Sequence, residues 1–268
     1  MKSGFVSFIG RPNVGKSTLL NSILGKKVAI TSEKPQTTRN MIQGIYNDED
    51  TQIVFVDTPG IHKPQNKLGK VLNKQAYFTI NDVDIVVMVV DITEKIGKGD
   101  NFVIDILKNL DEDKPVFLVI NKIDRPGARP LKVVDEVLEL FIELGANDEQ
   151  LDFPVIYASA RDGYAKMNLE DESDNMKCVF ETIVNTIEPP KCDENGPMQM
   201  LVSNIDYDDY VGRIAVGRVE RGIIKVGMPV AICGKEDKIT QGRIAKVYTH
   251  VGLNKVEVEE GKAGDIIE

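Results

Sequence analysis

The chain has 268 residues, 28% of them charged, and its formal net charge is -9 at pH 7. This length suits one large domain followed by a smaller one. The acidic balance argues against a broad basic surface that would bind nucleic acid regardless of sequence. The three cysteines (Cys178, Cys192 and Cys233) are far apart and form no CxxC pair, which favours a reducing compartment and argues against a zinc site.

The sequence predicts a cytoplasmic protein with no membrane span. Its first residues lead directly into an apolar run, without the pattern of a signal peptide. The most apolar stretch, residues 85–90, is too short to cross a bilayer and is bounded by Asp84 and Asp91. A continuous apolar run of this length is typical of a buried parallel strand.

Residues 10–17, with the sequence GRPNVGKS, predict a phosphate-binding loop. A short strand is indicated before it at 5–9, and an apolar pattern with helical spacing follows at 17–24. The loop amides and the positive end of that helix form an anion site, with Lys16 near the outer phosphates and Ser17 on a magnesium ion. The nucleotide contacts predicted here are Asn13, Val14, Gly15, Lys16, Ser17 and Thr18.

Two further segments predict contacts to magnesium and to the γ-phosphate. The polar loop 31–39 carries two adjacent threonines, and we expect Thr38 to complete the magnesium shell when the γ-phosphate is present. The motif DTPG follows a predicted strand at 52–56. Asp57 is expected to hold magnesium through water, and the Gly60 N–H is expected to contact the γ-phosphate. A plain proline–glycine turn is the alternative for this motif.

Guanine specificity is predicted at the motif NKID, which follows the apolar run 116–120. The Asp124 carboxylate can accept hydrogen bonds from the guanine ring nitrogen and the exocyclic amine, whereas adenine offers no such donor pair. Asn121 is expected to brace the loop and the ring. The Lys122 stem is expected to pack over the base.

The last parallel strand, 154–157, leads into Ala158-Ser159-Ala160. There the Ala160 N–H is expected to meet the guanine carbonyl, with Ser159 shaping the turn. Strands and helices that alternate around one site predict an α/β fold with a mostly parallel sheet and helices on both faces, and the motif set is that of a P-loop GTPase domain. The predicted bounds are 1–187 for this domain, 188–197 for a linker, and 198–268 for a small antiparallel β-barrel.

The motif set resembles two GTPase families. Residues 1 to about 125 resemble the Era family, through GRPNVGKSTLLN (10–21), KPQTTR (34–39) and DTPGIHKP (57–64). From about residue 121 the chain resembles the TypA/BipA family, through NKIDRPGARP (121–130), FIELGANDEQ (141–150) and DYDDYVGR (206–213). The two resemblances together predict an engineered chimera. In the TypA/BipA family the barrel continues further, so this one is predicted to be truncated.

The resemblance implies magnesium-dependent hydrolysis of GTP to GDP and phosphate, with Lys16, Thr38, Gly60 and Asn13 as the catalytic residues. In Era-like GTPases the position of Asn13 is associated with a potassium ion; the alternative is that Asn13 only stiffens the loop. The TypA/BipA family has a histidine directly after DTPG where this chain has Ile61, so slow hydrolysis is expected. The resemblance also implies a ribosome or rRNA partner, although the sequence contains no KH domain and none of the later TypA/BipA domains. The alternative function is a module that binds GDP or GTP with negligible turnover and no ribosomal role.

Overall fold

The computed structural model describes most of the chain. The described residues are 2–25, 42–47, 51–57, 80–110, 114–187, 189, 192–208, 212–234, 238–251 and 254–268. The predictions for Thr38, Gly60 and Ile61 therefore lie outside the described residues, and so does the side chain of Asp57.

The chain divides into two compact units. The larger comprises Phe5–Gly44 and Val54–Ile187, and the smaller comprises Met1–Gly4, Ile45–Ile53 and Glu188–Glu268. The domain bounds proposed from the sequence stay a prediction.

The elements described up to residue 187 alternate between strands and helices. They are β1 (Lys2–Ile9), α1 (Lys16–Leu24), β2 (Ile42–Asn47), β3 (Thr51–Asp57), β4 (Ile85–Asp91), α2 (Lys98–Leu107), β5 (Val116–Asn121), α3 (Pro130–Glu143), α4 (Asp148–Leu151), β6 (Val155–Ser159), β7 (Tyr164–Lys166) and α5 (Lys177–Thr186).

These strands form one seven-stranded sheet in the order β2-β3-β1-β4-β5-β6-β7. The pairs β1–β4, β4–β5 and β5–β6 are parallel, and β7 pairs with β6 in the antiparallel sense. Every residue of β4 is buried, as expected for a continuous apolar strand covered on both faces. The predicted mainly parallel sheet is confirmed. The short antiparallel edge strand β7 was not predicted, since three residues are too few to show a strand pattern.

Helix α3 shows how sequence pattern and packing agree. Proline stands in its first turn, where the missing N–H costs nothing, and Val133, Val137, Leu140 and Phe141 form its buried stripe. The sequence predicts a helix around 101–110, whereas α2 begins three residues earlier, at Lys98. The Asp100 side chain explains this early start, because its carboxylate accepts the Gly97 N–H at 2.9 Å and caps the first turn.

The chain after residue 198 contains only strands among the described elements. They are β8 (Gln199–Asp208), β9 (Gly212–Arg221), β10 (Ile223–Lys225), β11 (Pro229–Cys233), β12 (Ile239–Arg243), β13 (Val247–Val251), β14 (Asn254–Val258), β15 (Glu260–Lys262) and β16 (Ile266–Ile267).

All the described ladders among these strands are antiparallel, as predicted. One buried hydrophobic cluster among them consists of Val219, Ile224, Val247 and Ile267. The sequence also predicts a strand at 243–247, and these bounds are wrong, because β12 ends where that stretch begins and β13 begins where it ends. Closure of these strands into a barrel, and its truncation, stay predictions. Within the described part of the chain, no helix is both long and apolar enough to cross a membrane.

Candidate nucleotide-binding site

The predicted phosphate loop lies between β1 and α1. Gly15 ends the loop with φ +101°, a backbone conformation that glycine adopts without strain, and it precedes the first residue of α1. A Cβ atom at Gly15 would stand 2.2 Å from Asn121 Nδ2, so space as well as conformation requires glycine. Asn13 is also left-handed, with φ +65°, and its side chain is exposed.

The N-terminal end of α1 faces this loop. The first α-helical bond runs from the Leu19 N–H to the Gly15 carbonyl at 2.8 Å, so the N-terminal end of the helix lies directly after the loop. The first turn contains no acidic residue, and the capping residue contributes no side-chain bond. Ser17 and Thr18 lie in this turn, half-buried. The helix end therefore offers positive charge and amide donors to an anion.

The Lys16 ammonium is held by the loop itself. Its Nζ donates to the carbonyl oxygens of Gly10 and Arg11, both at 3.0 Å, and the residue is buried. The predicted phosphate-binding lysine thus lies inside the loop that it is expected to serve.

Arg11 ties the loop to the start of α2, a contact that sequence analysis missed. Its Nε lies 2.8 Å from Asp100 Oδ1, an ion pair without an aligned hydrogen bond, and its Nη1 lies 3.2 Å from Glu94 Oε2. The Arg11 stem packs so closely on Gly99 that a Cβ there would meet its Cδ at 2.6 Å. Burial raises the pKa of Asp100, and the Gly97 N–H and Arg11 offset only part of that rise.

Asn121 joins three of the predicted motifs. Its Nδ2 donates to the Val14 carbonyl of the phosphate loop at 2.8 Å, and its Oδ1 accepts the Ala160 N–H at 3.0 Å. The side chain is buried at 2% exposure. The bracing role predicted for Asn121 thus has a defined geometry. The Ala160 N–H, expected to meet a guanine carbonyl, is directed to Asn121 in this structure.

Lys122 links the guanine motif to the phosphate loop and to Asp91. Its Nζ donates to the Asn13 carbonyl at 3.0 Å and forms a close ion pair with Asp91 Oδ2. Asp91 Oδ1 accepts the Thr93 N–H at 2.9 Å and the Thr93 hydroxyl at 2.7 Å. Burial alone would raise the pKa of Asp91, but the hydrogen bonds from Lys122 and Thr93 outweigh it and lower the pKa. In the sequence, Asp91 stands out only as the residue that ends the apolar run 85–90.

Ser159 holds the side chain of Asp124, the residue predicted to recognise guanine. Ser159 Oγ lies 2.8 Å from Asp124 Oδ1 and 3.0 Å from Asp162 Oδ2, so its single proton can serve only one carboxylate at a time. The Ser159 carbonyl accepts the Gly163 N–H at 2.9 Å, which closes the predicted turn. The turn therefore orients the carboxylate as well as the chain.

The predicted magnesium ligands fit the ion in part. Hydroxyl and carboxylate oxygens are the donors that magnesium prefers. Ser17 lies in the first turn of α1, and Asp57 ends β3, which neighbours β1 in the sheet. Thr38 lies outside the described residues. No cluster of three or more histidine, cysteine or acidic side chains that could hold a metal by itself occurs in the described segments.

Two family models match separate parts of the chain. Residues 5–122 match the model described as 50S ribosome-binding GTPase, and residues 212–268 match elongation factor Tu domain 2.

Individual relatives match either nearly the whole chain or about half of it. The large ribosomal subunit assembly factor BipA of Haemophilus influenzae is 38% identical over 98% of this chain. The GTPase Era of Alkaliphilus metalliredigens is 56% identical over 144 residues, which are 54% of this chain. The chain spans 44% of the BipA relative's length and 47% of the Era relative's length. The crystal structure of an Aquifex aeolicus Era variant bound to GDP.AlF4- is 27% identical, with a TM-score of 0.54, over 82% of this chain and 79% of that one.

These similarities agree with the fold and with the order of the motifs. The chain contains a P-loop GTPase domain followed by a β-rich domain like domain 2 of elongation factor Tu, and it combines resemblance to Era in its N-terminal half with resemblance to BipA over its whole length.

Proposed function

We propose that the chain binds guanine nucleotides and hydrolyses GTP to GDP and phosphate with magnesium. The observation that carries this proposal is the bracing of the guanine motif against the phosphate loop. Asn121 donates to the Val14 carbonyl and Lys122 donates to the Asn13 carbonyl, which ties the proposed base site to the proposed phosphate site. Asp124, oriented by Ser159, is the group that selects guanine.

The phosphates are bound by the loop amides and the first turn of α1, joined by the Lys16 ammonium once it leaves its loop carbonyls. Ser17, Asp57 and Thr38 are the proposed magnesium ligands. When bound, magnesium neutralises charge on the phosphate oxygens. The Gly60 N–H is the proposed donor to the γ-phosphate. Arg11, held by Asp100 and Glu94, keeps the loop in place when the Lys16 ammonium moves from the loop carbonyls to the phosphates.

Slow turnover is part of the proposal, and potassium is its proposed activator. Ile61 has no group that could orient the attacking water, so activation of hydrolysis must come from elsewhere. Asn13 stands exposed on the phosphate loop, and its backbone carbonyl accepts a hydrogen bond from Lys122; its side-chain oxygen is the proposed ligand of a potassium ion. Such an ion would supply the positive charge that an arginine finger supplies in other GTPases.

Single-turnover hydrolysis of GTP by the purified protein tests the proposal. We expect slow release of phosphate that is faster in potassium chloride than in sodium chloride, and we expect Asn13→Ala to lose this preference for potassium. Phosphate release that is absent in both salts while GDP still binds would support the alternative, a guanine-nucleotide binding module without turnover.

A ribosomal partner and a mixed origin extend the proposal. The BipA relative is named as an assembly factor of the large ribosomal subunit, and an Era structure holds a segment of 16S ribosomal RNA. We propose that this chain likewise acts on the ribosome or its RNA, in the cytoplasm. The higher identity to Era over 144 residues than to BipA over the whole chain supports a chimera, with its junction near the guanine motif.

A further inference from the structure

Asp91 belongs to none of the motifs that identified the nucleotide site, yet it contacts one of them directly. We propose that Asp91 is a positioning residue: it holds Lys122 so that the guanine motif and the phosphate loop keep the spacing that a bound guanine nucleotide requires. This inference rests on the proposed function, because it concerns the affinity of that same site.

The Asp91 carboxylate has one orientation. Its Oδ1 accepts two hydrogen bonds from Thr93, one from the N–H at 2.9 Å and one from the hydroxyl at 2.7 Å. Asp91 is only 3% exposed, so water does not compete for its oxygens. With Oδ1 fixed, Oδ2 is directed to Lys122 Nζ. The carboxylate therefore acts as a fixed anchor for the ammonium group.

Strand pairing brings this anchor beside the guanine motif. In the parallel pair β4–β5, Asp91 stands opposite Asn121, the first residue of the motif. The next residue, Lys122, has φ +72°, which a residue with a side chain rarely adopts. A strained conformation persists where its surroundings impose it. The Asp91 carboxylate and the Asn13 carbonyl together hold the Lys122 side chain and oppose relaxation of this turn.

Three connected groups thus lie between the end of β4 and the phosphate loop. Thr93 orients Asp91, Asp91 holds Lys122, and Lys122 bonds the Asn13 carbonyl. The Lys122 stem is also the surface predicted to lie over the base. If the ammonium loses its anchor, both the stem and the link to the loop lose their fixed position. Weaker nucleotide binding follows, even though Asp91 touches no nucleotide.

The alternative is that Asp91 only stabilises the fold, as many buried ion pairs do. The two roles differ in how they depend on Lys122. Positioning acts through the ammonium group, so Asp91 has nothing to contribute to binding once that group is gone. A general structural role weakens binding by the same factor with or without the ammonium.

A double-mutant cycle on GDP affinity separates the two roles. We would measure equilibrium GDP binding for the parent, Asp91→Asn, Lys122→Met and the double variant, with unfolding curves taken without nucleotide. Lys122→Met keeps the apolar stem and removes the charge. We expect Asp91→Asn to weaken GDP binding about tenfold in the parent and less than twofold in the Lys122→Met background. Equal losses in both backgrounds would overturn the inference.

Two further variants complete the test. Glu136, on α3, forms another partly buried ion pair, with Arg129 at 2.9 Å. Glu136→Gln removes this pair and should leave GDP affinity within about twofold of the parent's. Thr93→Val removes only the hydroxyl that orients Asp91, and it should weaken GDP binding about threefold. If Asp91→Asn does not fold, unchanged affinity in Thr93→Val would overturn the inference. If the parent protein binds no GDP, both the proposed function and the inference are refuted. If the parent and Asp91→Asn bind GDP equally well, the inference alone is refuted.

Discussion

Replacing Asn121 by alanine should cost the folded chain about 3 kcal/mol even without nucleotide. The amide of this buried residue satisfies two backbone groups, the Val14 carbonyl at 2.8 Å and the Ala160 N–H at 3.0 Å. Alanine leaves both groups buried and unpaired, and each such group costs about 1–3 kcal/mol. Because a domain is stable by only about 5–15 kcal/mol, the variant should still fold but should unfold at clearly lower urea concentration.

The matched control is Asn109→Ala. Asn109 Nδ2 also donates to a backbone carbonyl, that of Asp105 at 2.5 Å, but this bond is exposed and water can replace it. We expect a loss below about 0.5 kcal/mol there. Urea denaturation of the two variants and the parent, followed by circular dichroism, gives the comparison. Equal losses for Asn121→Ala and Asn109→Ala would refute the argument that Asn121 braces the site from inside the protein.

Two further predictions address the base and the loop anchor. Asp124→Asn should weaken GDP binding by at least about 30-fold, roughly 2 kcal/mol, because the amide offers donors where guanine also offers donors. The variant should instead favour xanthine nucleotides. A retained preference for GDP over XDP in competition binding would show that Asp124 does not recognise the base. For Asp100 the pKa is raised in the folded chain, so the folded state binds the proton more tightly and the ionised carboxylate costs stability above its ordinary pKa. The free energy of unfolding of the parent should therefore fall relative to that of Asp100→Asn as the pH rises from about 4 toward 7. Urea denaturation of both proteins at several pH values measures this difference, and a difference that stays constant across the range would contradict the assigned burial.

The phosphate loop, the guanine motif and the mainly parallel sheet could be predicted from the sequence because each has a local signal. Glycine spacing marks the loop, and a continuous apolar run marks β4. The partners of these motifs have no such signal. Asp91 and Lys122 are 31 residues apart and meet only because β4 and β5 pair in one register. Arg11 likewise meets Asp100 only after folding. The Asp100 carboxylate also caps the first turn of α2, so the helix begins earlier than the sequence pattern predicts.

The Ala160 N–H shows a second limit of sequence analysis. A motif assigns a residue to a ligand, but it does not say which protein group uses the same atom before the ligand arrives. In this structure the Asn121 amide accepts that N–H. Likewise, the Lys16 ammonium bonds two carbonyls of its own loop. Such contacts within the protein depend on distances that only the folded chain fixes.

A site built for a guanine nucleotide should prefer GDP to ADP, and equilibrium binding of the two nucleotides to the parent protein measures that preference. The bracing of Asn121 and Lys122 against the phosphate loop, together with the oriented Asp124 carboxylate, predicts GDP binding with magnesium at least about 100-fold tighter than ADP binding, a difference of about 2.7 kcal/mol. Equal affinity for the two nucleotides, or no binding of either, would show that the site does not recognise guanine nucleotides.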